Sequence, residues 1–387
     1  MSASKAPGSP IRVPRSGQAA TRAPTHERTA PAAARAVALW LLVCAAFVVL
    51  VLMVGGMTRL LHAGLSIVQW QPLTGTLPPL DDAQWRAAFE QYQGTPEFRL
   101  LYPDMTLAQF RHIFWWEYAH RLFARLSGAV FLLPYLWFLA RGQLPRWLAL
   151  RLAGLLALGG AQGAVGWLMV ASGLVDEPHV SPLRLCAHLG LALLLLALLV
   201  YHGGAIWIDG LRRSTARPAA AWLALPGIVW CMALSGALMA GTRSGYAYDT
   251  FPTMNGELLP SGLLRLSPWY HNLLDNPTTV QFLHRALACV VLGTVLLYAW
   301  KWMRLTNAPS ATNQAGPAAR RRRLLALAFM LTALAAQLAL GAATVMSGVA
   351  IPLAAAHQAG AVVLFVAALW AGLLFRAQDG RAMQEEA

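Results

Sequence analysis

The sequence predicts an all-α membrane protein whose eight transmembrane helices form two pseudo-symmetric four-helix bundles. Three observations predict this class: an apolar composition, the recurrence of stretches of membrane-spanning length, and motifs that repeat in order along the chain. Of 387 residues, 57% are hydrophobic and only 12% are charged. Because soluble domains are typically about 25% charged, the composition excludes an ordinary soluble protein.

Eight apolar stretches are long enough to cross a bilayer, which takes about 20 helical residues. The first stretch is long and has no convincing A-x-A cleavage site after it, so we interpret it as a retained span and not as a signal peptide. The predicted spans lie near residues 37–57, 116–140, 147–171, 183–204, 221–241, 279–300, 324–346 and 352–375.

The distribution of basic residues predicts that both termini are cytoplasmic. Eight spans place both termini on one side, and the tails and loops of that side carry 20 of the 30 Lys and Arg residues. This bias follows the positive-inside rule. Membrane lipid with anionic headgroups is a sufficient partner for the basic loops, so the net charge of +14 predicts no nucleic-acid binding. We expect a multi-pass protein of the cell inner (cytoplasmic) membrane.

An internal repeat divides the chain into two halves of four helices. "AQGAVGWLMVASGL" (161–174) aligns without gaps to "AQLALGAATVMSGV" (336–349) and is identical at seven of 14 positions. "YAHRLFA" (118–124) similarly matches "FLHRALA" (282–288). The first and fifth helices share an orientation, so the repeat is parallel, about an axis near the membrane normal.

The repeat and the spans together predict five segments. They are a disordered cytoplasmic tail at 1–35, an N-terminal half at 36–204, a cytoplasmic linker at 205–220, a C-terminal half at 221–375 and a cytoplasmic tail at 376–387.

The first large outer loop, residues 58–115, contains a predicted helix in "DDAQWRAAFEQY". Trp85, Phe89 and Tyr92 fall on one face at helical spacing, and Asp81 or Asp82 is the predicted cap. Two interpretations stay open: the helix lies at the membrane interface, or it packs on its own domain.

Four histidines recur at one position in the predicted helices. His120, His188, His284 and His357 lie one each in helices 2, 4, 6 and 8, about five residues beyond the start of each helix. Since every even-numbered helix runs inward, all four lie at one depth near the outer surface. A lone intramembrane histidine is usually structural, but four at matching positions favour ligands.

The histidines suit haem better than zinc. Zinc prefers a tetrahedral cluster supported by carboxylates or thiolates, whereas haem iron takes one imidazole on each face. The repeat predicts one haem pocket per half, with His120 and His188 in the first and His284 and His357 in the second.

Arginines accompany these histidines in both halves. Arg121 and Arg285 follow His120 and His284 directly, and Arg59 and Arg243 lie in the matching stretches "MTRL" and "GTRS". Arginine is the natural partner for haem propionates at the outer face. The alternative for each is snorkelling to the membrane interface.

The segment "GGMTRLLHAGLSIVQWQPLTGTLPPL", followed by "FWWEYAHRLFARLSG", resembles the haem A synthase family of bacteria and mitochondria. The resemblance covers residues 37–375. It implies two four-helix bundles and oxidation of the C8 methyl of haem O to the formyl of haem A, in two successive hydroxylations. It also implies that the N-terminal half takes the substrate haem through His120 and His188, and that His284 and His357 hold a haem b cofactor.

Haem O synthase is then the expected donor, terminal oxidase assembly factors are possible acceptors, and a homo-oligomer is possible.

The resemblance makes Glu117, one turn before His120, the expected catalytic carboxylate. Glu117 could instead form an i,i+4 pair with Arg121, and Arg121 or Arg125 could neutralise a propionate. The matching place in the second half is Gln281. This asymmetry indicates that only the first half does chemistry.

Three details mark this chain within the resemblance. All four cysteines fall in apolar spans, which places it with the branch that lacks outer-loop cysteines. His62 stands where a small or polar residue is expected, and Gln69 stands where a glutamate is frequent.

Two other classes of protein stay open. A dihaem electron carrier or quinone-linked cytochrome b also uses histidine pairs, but it usually places haems near both membrane faces. A secondary transporter is less favoured by a parallel repeat without broken midplane helices.

Overall fold

The computed structural model describes residues 31–71, 74–175, 177–211, 220–307 and 317–385. These residues form ten α-helices and short 3₁₀ turns. The α-helices are α1 Pro31–Leu60, α2 Asp82–Gln93, α3 Pro96–Leu101, α4 Leu107–Ala140, α5 Arg146–Ala171, α6 Pro182–Asp209, α7 Ala220–Gly241, α8 Pro277–Asn307, α9 Pro317–Met346 and α10 Ile351–Glu385.

The eight predicted spans are confirmed by α1 and α4 to α10, which are long and apolar enough to cross a membrane. Helix α1 begins at Pro31, four residues before the expected end of the tail, because proline suits the first helical position and three alanines follow it. Residues 1–30 of the expected tail, and 212–219 of the expected linker, lie outside the described residues.

Helix α4 begins at Leu107, nine residues before the predicted start of its span. Thr106 and Gln109 form a reciprocal capping box there, which satisfies backbone donors at the new start. This extension packs on α2, where the ring centroids of Trp85 and Phe114 are 4.9 Å apart. Of the two interpretations of α2, packing on its own domain therefore describes the structure, with Asp81 as its N-cap.

The contacts between helices are consistent with two pseudo-symmetric bundles. In the first half α1 packs on α4 and α6, and α5 packs on α4 and α6. In the second half α7 packs likewise on α8 and α10, and α9 on α8 and α10. The halves meet where α1 contacts α10, α6 contacts α7, and α6 contacts α10. Exchanging the two halves maps this set of contacts onto itself.

Candidate functional site

The four histidines form two pairs, as the repeat predicts. His120 on α4 lies within electrostatic range of His188 on α6, and His284 on α8 within range of His357 on α10. All four side chains are half-buried. Each pair therefore joins two helices of the same half.

Each histidine ring packs against a glycine of a neighbouring helix. A Cβ atom built on Gly55 would lie 2.7 Å from Nε2 of His120, and one on Gly166 would lie 2.6 Å from Cε1 of His188. Such distances exclude any side chain larger than hydrogen without movement. In the second half Gly341, which matches Gly166 in the repeat, lies 2.9 Å from Cε1 of His357, and Gly236 lies 3.4 Å from Cε1 of His284, an ordinary van der Waals distance.

The donor set of each pair fits haem. Within the described ranges, no group of three or more His, Cys, Asp or Glu side chains could hold a metal ion. A haem iron needs only two axial imidazoles. Nδ1 of His188 and Nδ1 of His357 are buried without a hydrogen-bond partner among the described residues, so neither ring is tied to another protein group through that nitrogen.

Glu117 is 2% exposed, and four donors bind its carboxylate. The Ser66 hydroxyl and the Ile67 amide donate to Oε2 over 2.7 and 2.9 Å. Arg121 donates to Oε1 from Nε and Nη2 over 3.0 and 2.7 Å. The i,i+4 pair is thus formed, and it also ties the outer loop to α4. In the second half, Gln281 is fully buried and donates to the Tyr248 carbonyl over 2.8 Å.

Arg121 and Arg125 hold the first outer loop against α4. Arg121 also donates to the carbonyls of Ile67 and Gln69, over 2.6 and 3.0 Å. Arg125 donates to the Gln71 carbonyl over 2.8 Å. Gln69, where a glutamate was expected, therefore meets Arg121 through its backbone. These bonds fix the loop beside the His120 pair.

Arg285 holds the second outer loop against α8, as Arg121 holds the first loop against α4, and some of its N–H groups remain without a partner among the described residues. Its Nη1 donates to the carbonyls of Thr253 and Pro252 over 3.2 and 3.4 Å. Its Nε and Nη2 are buried and have no partner among the described residues. A buried guanidinium with two free donors fits a carboxylate ligand such as a propionate.

Arg59 and Arg243 meet at the boundary between the halves. Arg59 at the end of α1 donates to the carbonyl of Ala240 at the end of α7. Arg243 follows α7, and its Nη2 lies 3.3 Å from Nδ1 of His179. Partial desolvation, then the charges of Arg59 and Arg243, lower the pKa of His62. Hence His62 belongs to a cationic cluster that both halves share.

Glu97 on α3 is a buried carboxyl that the sequence analysis missed. It is 4% exposed, and the Tyr92 hydroxyl donates a hydrogen bond to its carboxyl group over 3.2 Å. Burial raises the pKa of Glu97 to about 8, and the charge of Glu117 adds to the effect. Its sequence signal, "TPEF" (95–98), marks a capped helix start but not a buried acid.

The raised pKa of Glu97 predicts a pH-dependent stability. Because the folded-state pKa lies above the ordinary value of 4.5, the stabilising effect of neutral Glu97 is complete below that value and is lost as the pH rises through about 8. We expect the thermal midpoint of the protein in detergent to fall over this window. Glu97→Gln should flatten the fall, and an identical pH profile in that variant would contradict the assignment.

A glycine pair on α5 tests the packing at the His188 ring. In Gly166→Ala the new methyl group would clash with the His188 ring, and overpacking of this kind costs about 1–3 kcal/mol of folding stability. If His120 and His188 hold a haem, Gly166→Ala should lower the haem content of the purified protein. Gly163→Ala is the matched control, because a Cβ there meets nothing within 4 Å. Equal haem content in the two variants would show that the glycine is not needed.

Comparison with known proteins agrees with the resemblance seen in the sequence. The COX15-CtaA family model, described as cytochrome oxidase assembly protein, matches residues 38–369. A protein of Nitrosospira multiformis named Heme A synthase is 44% identical over 350 residues, covering 88% of this chain and 94% of the relative. One of Rhodospirillum centenum with the same name is 46% identical, covering 89% and 90%. Another, of Rhodopseudomonas palustris, is 45% identical and covers 90% and 93%.

Proposed function

The chain belongs to the cytochrome oxidase assembly family, and from this membership we propose that it oxidises the C8 methyl of haem O to the formyl of haem A. The observation that carries the proposal is the combination, in the first half only, of a histidine pair with a buried carboxylate. The relatives named Heme A synthase are more than 40% identical to this chain, and the alignments cover most of their length. The chain is therefore a membrane oxidoreductase.

The two halves take different haems in this proposal. His120 and His188 hold the substrate haem O, and His284 and His357 hold a resident haem b. The support is that each pair lies on two helices of one half and is lined by glycine. When bound, haem b supplies a centre that accepts and passes on single electrons.

The arginines bind haem propionates at the outer face. Arg285 has two buried donors for this purpose, and Arg59 and Arg243 form a shared cationic cluster. Arg121 and Arg125 are largely engaged with loop carbonyls and with Glu117, so their contribution is mainly to hold the loop that covers the substrate.

Glu117 acts on the protons that leave the methyl group. Conversion of a methyl to a formyl takes two two-electron oxidations, and each releases protons. Glu117 lies three residues, almost one helical turn, before His120, which puts their Cβ atoms about 5–6 Å apart. It accepts a proton or orients a water molecule, while Arg121 and the Ser66 hydroxyl keep its carboxylate in place.

The remaining proposals concern location and partners. We place the chain in the cell inner membrane with both termini cytoplasmic, as the basic loops suggest. Haem O synthase is the donor of the substrate, oxidase assembly factors accept the product, and a homo-oligomer is compatible with the fold.

A reporter fusion tests the orientation. An enzyme active only outside the cytoplasm should be active when fused near Gly75 and silent when fused near Arg213. The basic residues of the cytoplasmic loops resist translocation, which is the physical reason. The reverse activities would invert the topology and move the haem pockets to the other face.

Pigment analysis tests the activity itself. A strain that lacks the gene should accumulate haem O and lose haem A, and the intact gene should restore haem A. Purified protein should contain haem b together with haem O or haem A. Haem b alone would instead support an electron carrier, and no haem at all would support a transporter.

A further inference from the structure

We propose that Ser235 is a positioning residue that fixes the ring of His284, and that this makes the C-terminal half the one that retains its haem. The proposal rests on the assignment of the histidines as haem ligands made above. It deepens that assignment by naming a side chain that distinguishes a resident haem from an exchanging one.

The geometry at His284 is specific. Oγ of Ser235 on α7 lies 2.6 Å from Nδ1 of His284 on α8. A Cβ built on the next residue, Gly236, would lie 3.4 Å from Cε1 of His284, so the ring packs directly on this turn of α7. A hydrogen bond at Nδ1 leaves Nε2 as the nitrogen for iron and holds the ring in one orientation. Binding of iron at Nε2 requires that Nδ1–H donates to Oγ of Ser235, and the hydroxyl can accept in this way. Ser235 thus holds the ring of the ligand in one direction.

The first half lacks this device. The match of "MTRL" with "GTRS" aligns Ser235 with Val51, which has no hydroxyl, and the His120 ring packs against Gly55, about one turn further along α1. Among the described residues, no hydrogen bond to the His120 ring is formed. The orientation of His120 is therefore set by packing alone.

The other two histidines do not distinguish the halves. His188 and His357 both pack on glycines that match in the repeat, Gly166 and Gly341. Both have a buried Nδ1 without a hydrogen-bond partner in the described part of the chain. The difference between the halves is thus confined to the ligands on α4 and α8.

The halves also differ in a second way, at the position one turn before the histidine on α4 and α8. The half with the unfixed His120 carries Glu117, and the half with the fixed His284 carries Gln281 at that place. A substrate that must leave after reaction needs a ligand that releases it. A cofactor that must stay benefits from a ligand whose hydrogen bond stabilises the bound state, and loss of such a partner typically costs 10–100-fold in metal affinity.

The experiment measures haem loss from the purified full-length protein to excess apomyoglobin. We expect Ser235→Ala to lose haem b at least about 10-fold faster than the wild type. Ser235→Cys, similar in size but a weaker hydrogen-bonding group, should be intermediate. Ser235→Ala should also shift the low-spin EPR signal and raise the reduction potential, because the unpaired imidazole donates less charge to iron.

The controls separate this inference from the proposed function. Thr294→Ala removes a hydroxyl of α8 that donates to the Val290 carbonyl of its own helix, and it should behave as the wild type. Wild-type haem loss and EPR in both Ser235 variants would overturn the proposal, even if His284→Ala abolishes haem b. Normal haem b in His284→Ala would overturn the ligand assignment and the Ser235 role together. If Ser235→Ala does not fold, Ser235→Cys decides.

Discussion

Replacing Glu117 by glutamine is expected to lower haem A output by at least about 100-fold, the usual scale for losing a general base. Glutamine has the size of glutamate and can still accept hydrogen bonds at one oxygen, but it cannot take up a proton. Haem b content should stay normal, because the second half does not contain Glu117. Haem extraction from cells that express each variant provides the measurement.

Arg121→Gln is the control for this variant, because it separates a role of Glu117 in holding the loop from a role in proton transfer. Since Arg121 binds both Glu117 and the loop carbonyls, Glu117 could matter only by holding the loop. In that case Arg121→Gln should lose as much output as Glu117→Gln, and the double variant should lose no more than either. If Glu117 handles a proton, its loss exceeds that of Arg121→Gln. Near-normal output in Glu117→Gln would withdraw the catalytic role.

Removing either ligand of the second half is expected to abolish haem b. His284→Ala and His357→Ala each leave the iron with one protein ligand, so the bis-imidazole low-spin spectrum should disappear. The purified protein's absorption and EPR spectra provide the measurement. His112→Ala is the matched control, because this exposed histidine lies in the outer extension of α4. A normal low-spin spectrum in both ligand variants would contradict the assignment.

The spans could be predicted from the sequence because hydropathy and length alone define them. The start of α4 could not, because residues 107–115 are too polar to be part of a span and become helical through packing on α2. The capping box at Thr106 was the available signal.

The candidate site was predictable where it depends on position along a helix. The pairing of His120 with His188 followed from the repeat, and so did the pairing of His284 with His357. The repeat could not predict contacts that are made in only one half or between the two halves. The meeting of Arg59 with Ala240, the loop carbonyls bound by Arg285, and the bond from Ser235 to His284 all depend on how loops and halves pack. A serine beside a glycine in an apolar helix is too common to be a signal.

The contact between the first and last spans bears on how the protein is made. Nε2 of Gln358 on α10 donates to the carbonyl of Leu52 on α1 over 3.2 Å, across 306 positions of sequence. The groove that receives Gln358 is open because Gly56 has no side chain. During synthesis α1 therefore stays in the bilayer without its contact to α10, and this groove stays uncovered until α10 has been made. A stop codon before α10 would leave the first half unfinished too, so we expect late truncations to remove the entire protein through quality control and not merely its second haem.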